Sequence, residues 1–150
     1  MIFRNGKKYF TLSEANALIP SLEAAFGRIH LHKAEFDELY QKLSKEGFPD
    51  QQALLSEKLR LPSHLAEARD RMRELVDLIN AEIGKIHETG GLVKGIEMGL
   101  VDFYSRRGTQ DILLCWQYGE REIRHFHGTN EGFSGRRPLD GARQDQSNLN

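Results

Sequence analysis

Cysteine is nearly absent from this chain: Cys115 is the single one among 150 residues. One cysteine cannot form an intrachain disulfide, so the class of small disulfide-stabilised secreted domains is excluded. The N-terminus carries Arg4, Lys7 and Lys8 without an apolar run behind them, which does not match a secretory signal peptide. We therefore expect a cytoplasmic protein.

Long apolar runs and an excess of one charge are also missing. The longest strongly apolar run is Ile112–Trp116, whereas a transmembrane helix needs about 20 apolar residues. The 21 Lys and Arg residues nearly balance the 22 Asp and Glu residues, for a net charge of −1. Because nucleic-acid-binding domains usually carry a basic excess, we expect neither membrane insertion nor nucleic-acid binding.

The composition that remains is that of a folded globular protein. Hydrophobic residues make up 39% and charged residues 29% of the chain, and 150 residues are enough to bury a core. The end of the chain, residues 140–150, is rich in Gln, Asn, Asp and Ser. We predict a single domain over residues 1–139 and a disordered tail over residues 140–150.

The first strong pattern is helical. The run Thr11-Leu12-Ser13-Glu14 has the form of a capping box, which predicts that a helix begins here. Pro20 predicts a kink near its start. Beyond Pro20, apolar residues recur every seven positions, as in a long amphipathic or coiled-coil helix. These residues are Leu22, Ile29, Phe36 and Leu43.

A second heptad pattern follows a further proline, Pro62, and ends at Gly90-Gly91. Its apolar positions are Leu65, Met72, Ile79 and Ile86. Two such helices joined by a loop predict an antiparallel helical hairpin over residues 9–90, kinked at both prolines. Because the chain after Gly91 offers limited surface to cover this hairpin, we expect a homodimer that packs through it.

After residue 92 the pattern changes from helical to extended. Short apolar runs separated by turn residues predict strands over 101–104, 112–116 and 122–127. A glycine-rich segment completes the region 92–139. The predicted fold is therefore α+β: a long antiparallel helical hairpin, then a small antiparallel β-meander and the glycine-rich segment.

Several runs of the chain are distinctive as motifs: FTLSEANALIP (10–20), GLVKGIEMGLVDF (91–103), LCWQYGE (114–120), the Phe126-His127 pair and GFSGRRPL (132–139). Together they resemble the bacterial family catalogued as domain of unknown function 2203, over residues 9–139. That family often has Trp where this chain has Phe126. The resemblance implies the hairpin-plus-sheet organisation, and it implies no activity or cofactor.

Charged side chains lie inside the apolar runs of the predicted sheet, as Asp102 does between Val101 and Phe103. Such charges destabilise a fold unless they are paired with an opposite charge or serve to bind a ligand. Our leading hypothesis is a non-enzymatic binding module for a small anionic ligand or a protein partner, while a purely structural ion-pair network stays open. The candidate ligand-binding residues are Lys94, Glu97, Asp102, Trp116, Glu120, His127 and Arg137.

The alternative hypothesis is a metal-dependent enzyme. Its candidate ligands are His127, Glu120, Asp102 and Cys115, all of which are competent donors. The ligand spacings that most clearly indicate a metal site, CxxC and HExxH, are missing from the sequence. Convergence of these side chains within coordination distance would favour a metal, whereas Arg137 between the carboxylates would favour an ion-pair network.

Nucleophilic catalysis by Cys115 is a weaker idea, because a thiol in the middle of a strand is buried and unreactive. The sequence leaves three points open. It does not tell whether Arg136 or Arg137, or whether His125 or His127, points into the site. It also does not identify a ligand, a cofactor or a reaction.

Overall fold

The structure, a computed structural model, describes residues 2–4, 6–47, 50–56 and 60–139. It confirms the α+β class, because a long helical region is followed by a five-stranded antiparallel sheet. The predicted tail over residues 140–150 lies outside the described residues. Across the described part of the chain, no helix has the length and apolar content that crossing a membrane requires.

The chain divides into two compact units. Among the described residues, one unit lies within residues 2–26 and 84–139, and the other lies within residues 27–83. The first contains the sheet and the second contains most of the two long helices. The assignment of residues 1–139 to a single domain stays a prediction.

Local signals explain where the helices begin. Helix α1 spans Leu12–Asn16, and its predicted capping box is confirmed: Glu14 N donates to Thr11 Oγ1 at 3.1 Å, and Thr11 N donates to Glu14 Oε1 at 2.9 Å. Helix α2 spans Ile19–Lys45. Pro20 is its second residue, where a missing N–H removes no helical hydrogen bond.

Two further helices complete the helical region. The short helix α3 spans Gln51–Leu55 and is capped by Asp50, and helix α4 spans Ser63–Thr89. Pro62 comes directly before α4, and its carbonyl accepts from Ala66 N at 2.8 Å. The kinks at Pro20 and Pro62 stay predictions.

The unit of residues 27–83 has its own apolar cluster. Its buried members are Leu43, Leu54, Leu65, Ala68 and Met72. Two ion pairs join α2 to α4: Arg28 Nε donates to Glu82 Oε1 at 2.8 Å, and Arg71 Nε donates to Glu35 Oε2 at 2.6 Å. The later residue on α2, Glu35, pairs with the earlier residue on α4, Arg71. This opposite order along the two helices supports the predicted antiparallel hairpin.

The five strands of the sheet are β3 (Leu92–Gly95), β4 (Leu100–Arg107), β5 (Gln110–Gln117), β6 (His125–Gly128) and β7 (Arg137–Pro138). They lie side by side in this order, and every neighbouring pair is antiparallel. The three predicted strands correspond to β4, β5 and β6. A separate two-stranded hairpin at the N-terminus pairs β1 (Ile2–Arg4) with β2 (Lys7–Tyr9).

The two faces of the sheet differ in chemistry. One face is apolar: the Phe10 ring packs edge-on against Phe103 at 5.1 Å between centroids, and Phe26 lies 5.9 Å from Trp116. Side chains alternate between faces along a strand. Asp102 and Cys115, which are directly paired, therefore share the opposite face. That second face carries the candidate site.

Candidate functional site

Three buried polar side chains meet on the second face of the sheet. Asp102, Cys115 and His127 come from the three central strands β4, β5 and β6. One potential ligand atom from each lies within 4.8 Å of the other two. All three residues are at most 3% exposed. We call this group the Asp-Cys-His cluster.

The register of the strands produces this convergence. Asp102 is the pairing partner of Cys115 across β4 and β5, while His127 pairs with Leu113, two residues before Cys115. Side chains two residues apart on a strand share a face, and diagonal neighbours across strands lie within reach of long side chains. The imidazole of His127 thereby reaches Asp102 across β5.

The hydrogen bonds of His127 define its protonation. Its Nδ1 lies 2.9 Å from the Gly128 carbonyl oxygen, which only accepts, so Nδ1 carries a proton. Its Nε2 lies 3.0 Å from Asp102 Oδ2. A contact of this length between a ring nitrogen and a carboxyl oxygen needs a second proton, held by one group or the other. The buried pair therefore shares one proton.

Burial also controls the two acidic members of the cluster. It raises the pKa of the Asp102 carboxyl above its ordinary value, although the neighbouring His127 and Lys94 oppose that shift. Burial, reinforced by the Asp102 charge, raises the pKa of the Cys115 thiol to about 12, against the lowering effect of Arg136. At neutral pH Cys115 is therefore a protonated thiol and a poor nucleophile.

A cavity of about 290 Å³ opens beside the cluster. Its apolar walls are the side chains of Leu100, Leu113 and Phe133. Its other lining residues, apart from the cluster, are Lys94, Thr129, Glu131 and Gly132. A few polar side chains at the wall of a partly apolar cavity are typical of a small-ligand site.

One wall of the cavity belongs to the segment of residues 129–136, which we call the cover segment. Its Glu131 carboxylate lies against two glycines: a Cβ added at Gly135 would come within 2.6 Å of Glu131 Oε2, and one at Gly128 within 2.9 Å of Oε1. Arg137 Nη2 donates to Glu131 Oε1 at 3.2 Å. The ion pair joins the cover segment to β7, and Glu131 N donates to the Gly128 carbonyl at 3.1 Å at the end of β6.

Of the seven predicted ligand-binding residues, the cavity brings together Lys94, Asp102 and His127. Trp116 lies on the apolar face, fully buried, and its Nε1 donates to the Glu120 carbonyl at 3.0 Å. Glu120 Oε1 accepts from Gln117 N at 2.6 Å. Trp116 and Glu120 thus stabilise the turn after β5 and do not reach the cavity.

The remaining predicted residues lie apart from the cluster. Glu97 is exposed in the turn between β3 and β4. Arg137 is exposed and lies over the Phe126 ring at 5.1 Å, so it does not sit between Asp102 and Glu120. Of the two arginines it is Arg136 whose charge acts on Cys115, while its guanidinium stacks 4.2 Å from the Phe133 ring centroid.

The two histidines of β6 also separate. His127 is 2% exposed and belongs to the cluster, whereas His125 Nδ1 lies 3.7 Å from Glu120 Oε2. Six lining residues were not among the predicted site residues: Leu100, Leu113, Thr129, Glu131, Gly132 and Phe133. The sequence offered a signal for Glu131, because this residue lies three positions after Gly128 and four positions before Gly135.

The cluster has the chemistry of a transition-metal site. Carboxylate, thiolate and imidazole are all ligands that zinc accepts. Metal-binding histidines usually donate the other ring N–H to a carbonyl or carboxylate, as His127 does to Gly128. Three of the four predicted metal ligands converge, and Glu120 does not.

The family of the chain follows from comparison with known proteins. The family model described as "Uncharacterized conserved protein (DUF2203)" matches residues 8–139. No curated protein and no solved structure matches the chain. The match spans the capping box, both long helices and every strand of the five-stranded sheet, and the chain therefore belongs to the DUF2203 family.

Proposed function

We propose that the protein is a metal-binding protein whose Asp102, Cys115 and His127 hold one divalent transition-metal ion, with zinc as the best match. The observation that carries the proposal is the mutual distance of their ligand atoms, at most 4.8 Å. Around a tetrahedral zinc ion with bonds of about 2.0–2.3 Å, ligand atoms lie about 3–4 Å apart. Small side-chain movements therefore suffice to close the site.

The protonation of the cluster supports the same proposal. His127 already directs Nε2, the nitrogen without a carbonyl partner, toward Asp102 and the cavity. A bound cation replaces the shared proton of this pair and the thiol proton of Cys115, because metal ligands must be deprotonated. The two resulting negative charges neutralise a divalent ion, so the loaded site buries no net charge from its ligands.

The test begins with the element content of untagged protein purified without chelator. We expect close to one equivalent of zinc per chain. After chelation, added Co²⁺ should restore a site with a thiolate-to-cobalt charge-transfer band, which reports the bond to Cys115 directly. Wild-type protein that takes up no metal, or that binds cobalt without this band, would contradict the proposal.

Matched variants separate ligation from nonspecific effects. Asp102→Asn, Cys115→Ser and His127→Gln each remove one ligand and should abolish stoichiometric cobalt binding. The controls are Asp77→Asn and His64→Gln, which change the same residue types at exposed positions on α4. These controls should bind cobalt like the wild type.

A metal-dependent enzyme is a second candidate, favoured by one observation. Three protein ligands leave a fourth tetrahedral position, and the cavity of about 290 Å³ adjoins them, as in catalytic zinc sites that keep a position for water. Both ring nitrogens of His127 already have partners, so the ring is poorly suited to act as a base. Zinc-dependent hydrolysis of a p-nitrophenyl ester that Cys115→Ser abolishes would support this candidate.

We further propose that the protein acts in the cytoplasm as a homodimer. A reducing compartment keeps the thiol of Cys115 available for a metal. The exposed side chains of Leu31 on α2 and Leu78 on α4 support a dimer through the predicted helical hairpin. A reporter fusion that appears outside the cytoplasm would contradict the location, and the dimer is tested by its mass in solution.

A further inference from the structure

We propose that the cavity also takes a short aliphatic carboxylate, which occupies the open position of the metal ion and pairs with Lys94. This inference rests on the proposed metal site and names the ligand class of its cavity. Its starting point is the set of charges that surround the Asp-Cys-His cluster.

The charge of the loaded site favours an anion. A divalent ion bound by the Asp102 carboxylate and the Cys115 thiolate is electrically neutral with its ligands. Lys94 at the cavity wall and Arg136 near Cys115 then add two positive charges. Glu131 offsets little of this charge, because Arg137 already pairs with it at 3.2 Å. The cavity thus has a net positive surrounding, which a bound anion would neutralise.

Lys94 is in position to contact such an anion. It lines the cavity, and its charge helps to lower the pKa of Asp102, so the ammonium group acts toward the cluster. Within the described part of the chain it has no hydrogen-bond partner. A carboxylate that binds the metal through one oxygen presents its second oxygen to such a cation.

The walls of the cavity select the rest of the ligand. Leu100, Leu113 and Phe133 are apolar, so they match an alkyl chain better than the polar surface of a free phosphate. The volume of about 290 Å³ is at the lower limit for ligand pockets, which run from about 300 to 1,000 Å³. The ligand is therefore small, with an alkyl chain of a few carbons.

The experiment uses full-length protein loaded with Co²⁺ and titrated with butyrate. We expect saturable changes in the cobalt absorption spectrum, because a carboxylate at the open position changes the ligand field. 1-Butanol has the same carbon chain without the charge and should have no effect. Inorganic phosphate is the competing anion, and tighter binding of phosphate than of butyrate would overturn the carboxylate assignment.

Variants of Lys94 test the proposed ion pair. Lys94→Met keeps the length of the side chain without its charge and should raise the Kd for butyrate by about tenfold. Lys94→Arg should restore most of the affinity. Lys45→Met, at the exposed end of α2, is the matched control and should bind butyrate like the wild type. Unchanged affinity in Lys94→Met would overturn the inference.

The two proposals fail in distinguishable ways. If the thiolate-to-cobalt band never forms, the metal site is wrong and the carboxylate site falls with it. If the band forms but butyrate leaves the spectrum unchanged, the metal site stands and only the carboxylate inference is overturned. Spectral changes that are equal for butyrate and 1-butanol would also overturn it, because binding would then not depend on charge.

Discussion

The shared proton between Asp102 and His127 predicts losses of stability of different size for two substitutions in the metal-free protein. Asp102→Asn can donate an amide N–H to His127 Nε2, so the contact survives and the free energy of unfolding should fall by about 1 kcal/mol or less. His127→Ala leaves the Asp102 carboxyl buried without that partner and should lower the free energy of unfolding by roughly 3–5 kcal/mol. Urea unfolding in the presence of chelator measures both.

A double variant provides the control for this pair. In the Asp102→Asn background, loss of His127 no longer isolates a carboxylate, so its effect should be clearly smaller than in the wild type. Equal effects of His127→Ala in both backgrounds would mean that the two residues act independently. That result would contradict the proton-sharing geometry, whatever the metal content of the protein.

Cys115 should react slowly with alkylating agents in the folded, metal-free protein. With a thiol pKa of about 12, only about one molecule in ten thousand carries the thiolate at pH 8, and the residue is 1% exposed. Unfolding removes both protections, so iodoacetamide should then modify the chain at the rate of an ordinary cysteine. Rapid labelling of the native protein would contradict the buried environment of this thiol.

At the scale of elements, the cover segment depends on the contact between Glu131 and Gly135. Gly135→Ala places a methyl group 2.6 Å from Glu131 Oε2 and 3.1 Å from its Cβ, so the Glu131 side chain has to shift, which disturbs its ion pair with Arg137. We expect a loss of roughly 1 kcal/mol in the free energy of unfolding, together with weaker cobalt binding. Thermal unfolding and the cobalt titration measure these effects.

Gly132 provides the matched control for this substitution. A Cβ at Gly132 meets nothing within 4 Å, and its φ of −116° suits any residue, so Gly132→Ala should resemble the wild type. Glu131→Ala removes the group that Gly135→Ala displaces, so adding Gly135→Ala to Glu131→Ala should have little further effect. If Gly132→Ala is as damaging as Gly135→Ala, the loss of stability does not come from the contact with Glu131.

Sequence patterns predicted the elements that depend on local signals. The capping box at Thr11 and the apolar runs of β4 and β5 each depend on residues that are only a few positions apart in the sequence. Strands β3 and β7 were not predicted, because both owe their conformation to pairing with distant strands. Strand β7 even contains Pro138, which a sheet accepts only at an edge such as this one.

The sequence predicted which types of residue form the candidate site, but it did not predict which individual residues come together. Asp102 stood out as a charge between apolar residues, and burial of that charge implies a partner. The partner follows from strand register, which aligns Asp102 with Cys115 and lets His127 reach across β5. Glu120 carries a carboxylate that could bind a metal as Asp102 does, but the turn after β5 directs this carboxylate to Gln117 N.

At the scale of the whole molecule, the heptad residues are largely covered by the chain itself. Ile29, Leu43, Leu65 and Met72 are at most 3% exposed, so a homodimer that packs through α2 and α4 has to use another surface of these helices. Leu31 and Leu78 are 73% and 37% exposed. They lie at corresponding positions along α2 and α4, because Arg28 pairs with Glu82 on one side of them and Glu35 pairs with Arg71 on the other.

The predicted homodimer should therefore depend on these two leucines. Leu31→Glu and Leu78→Glu each place a charge where an apolar contact between chains would be buried, so light scattering at micromolar concentration should shift from the dimer mass to the monomer mass. Lys45→Glu, at the end of α2, is the control for an added negative charge and should stay dimeric. Because a monomeric variant keeps its own heptad core, its helical circular dichroism should match the wild type. A monomer mass for the wild-type protein itself would end the dimer hypothesis and leave Leu31 and Leu78 as ordinary exposed residues.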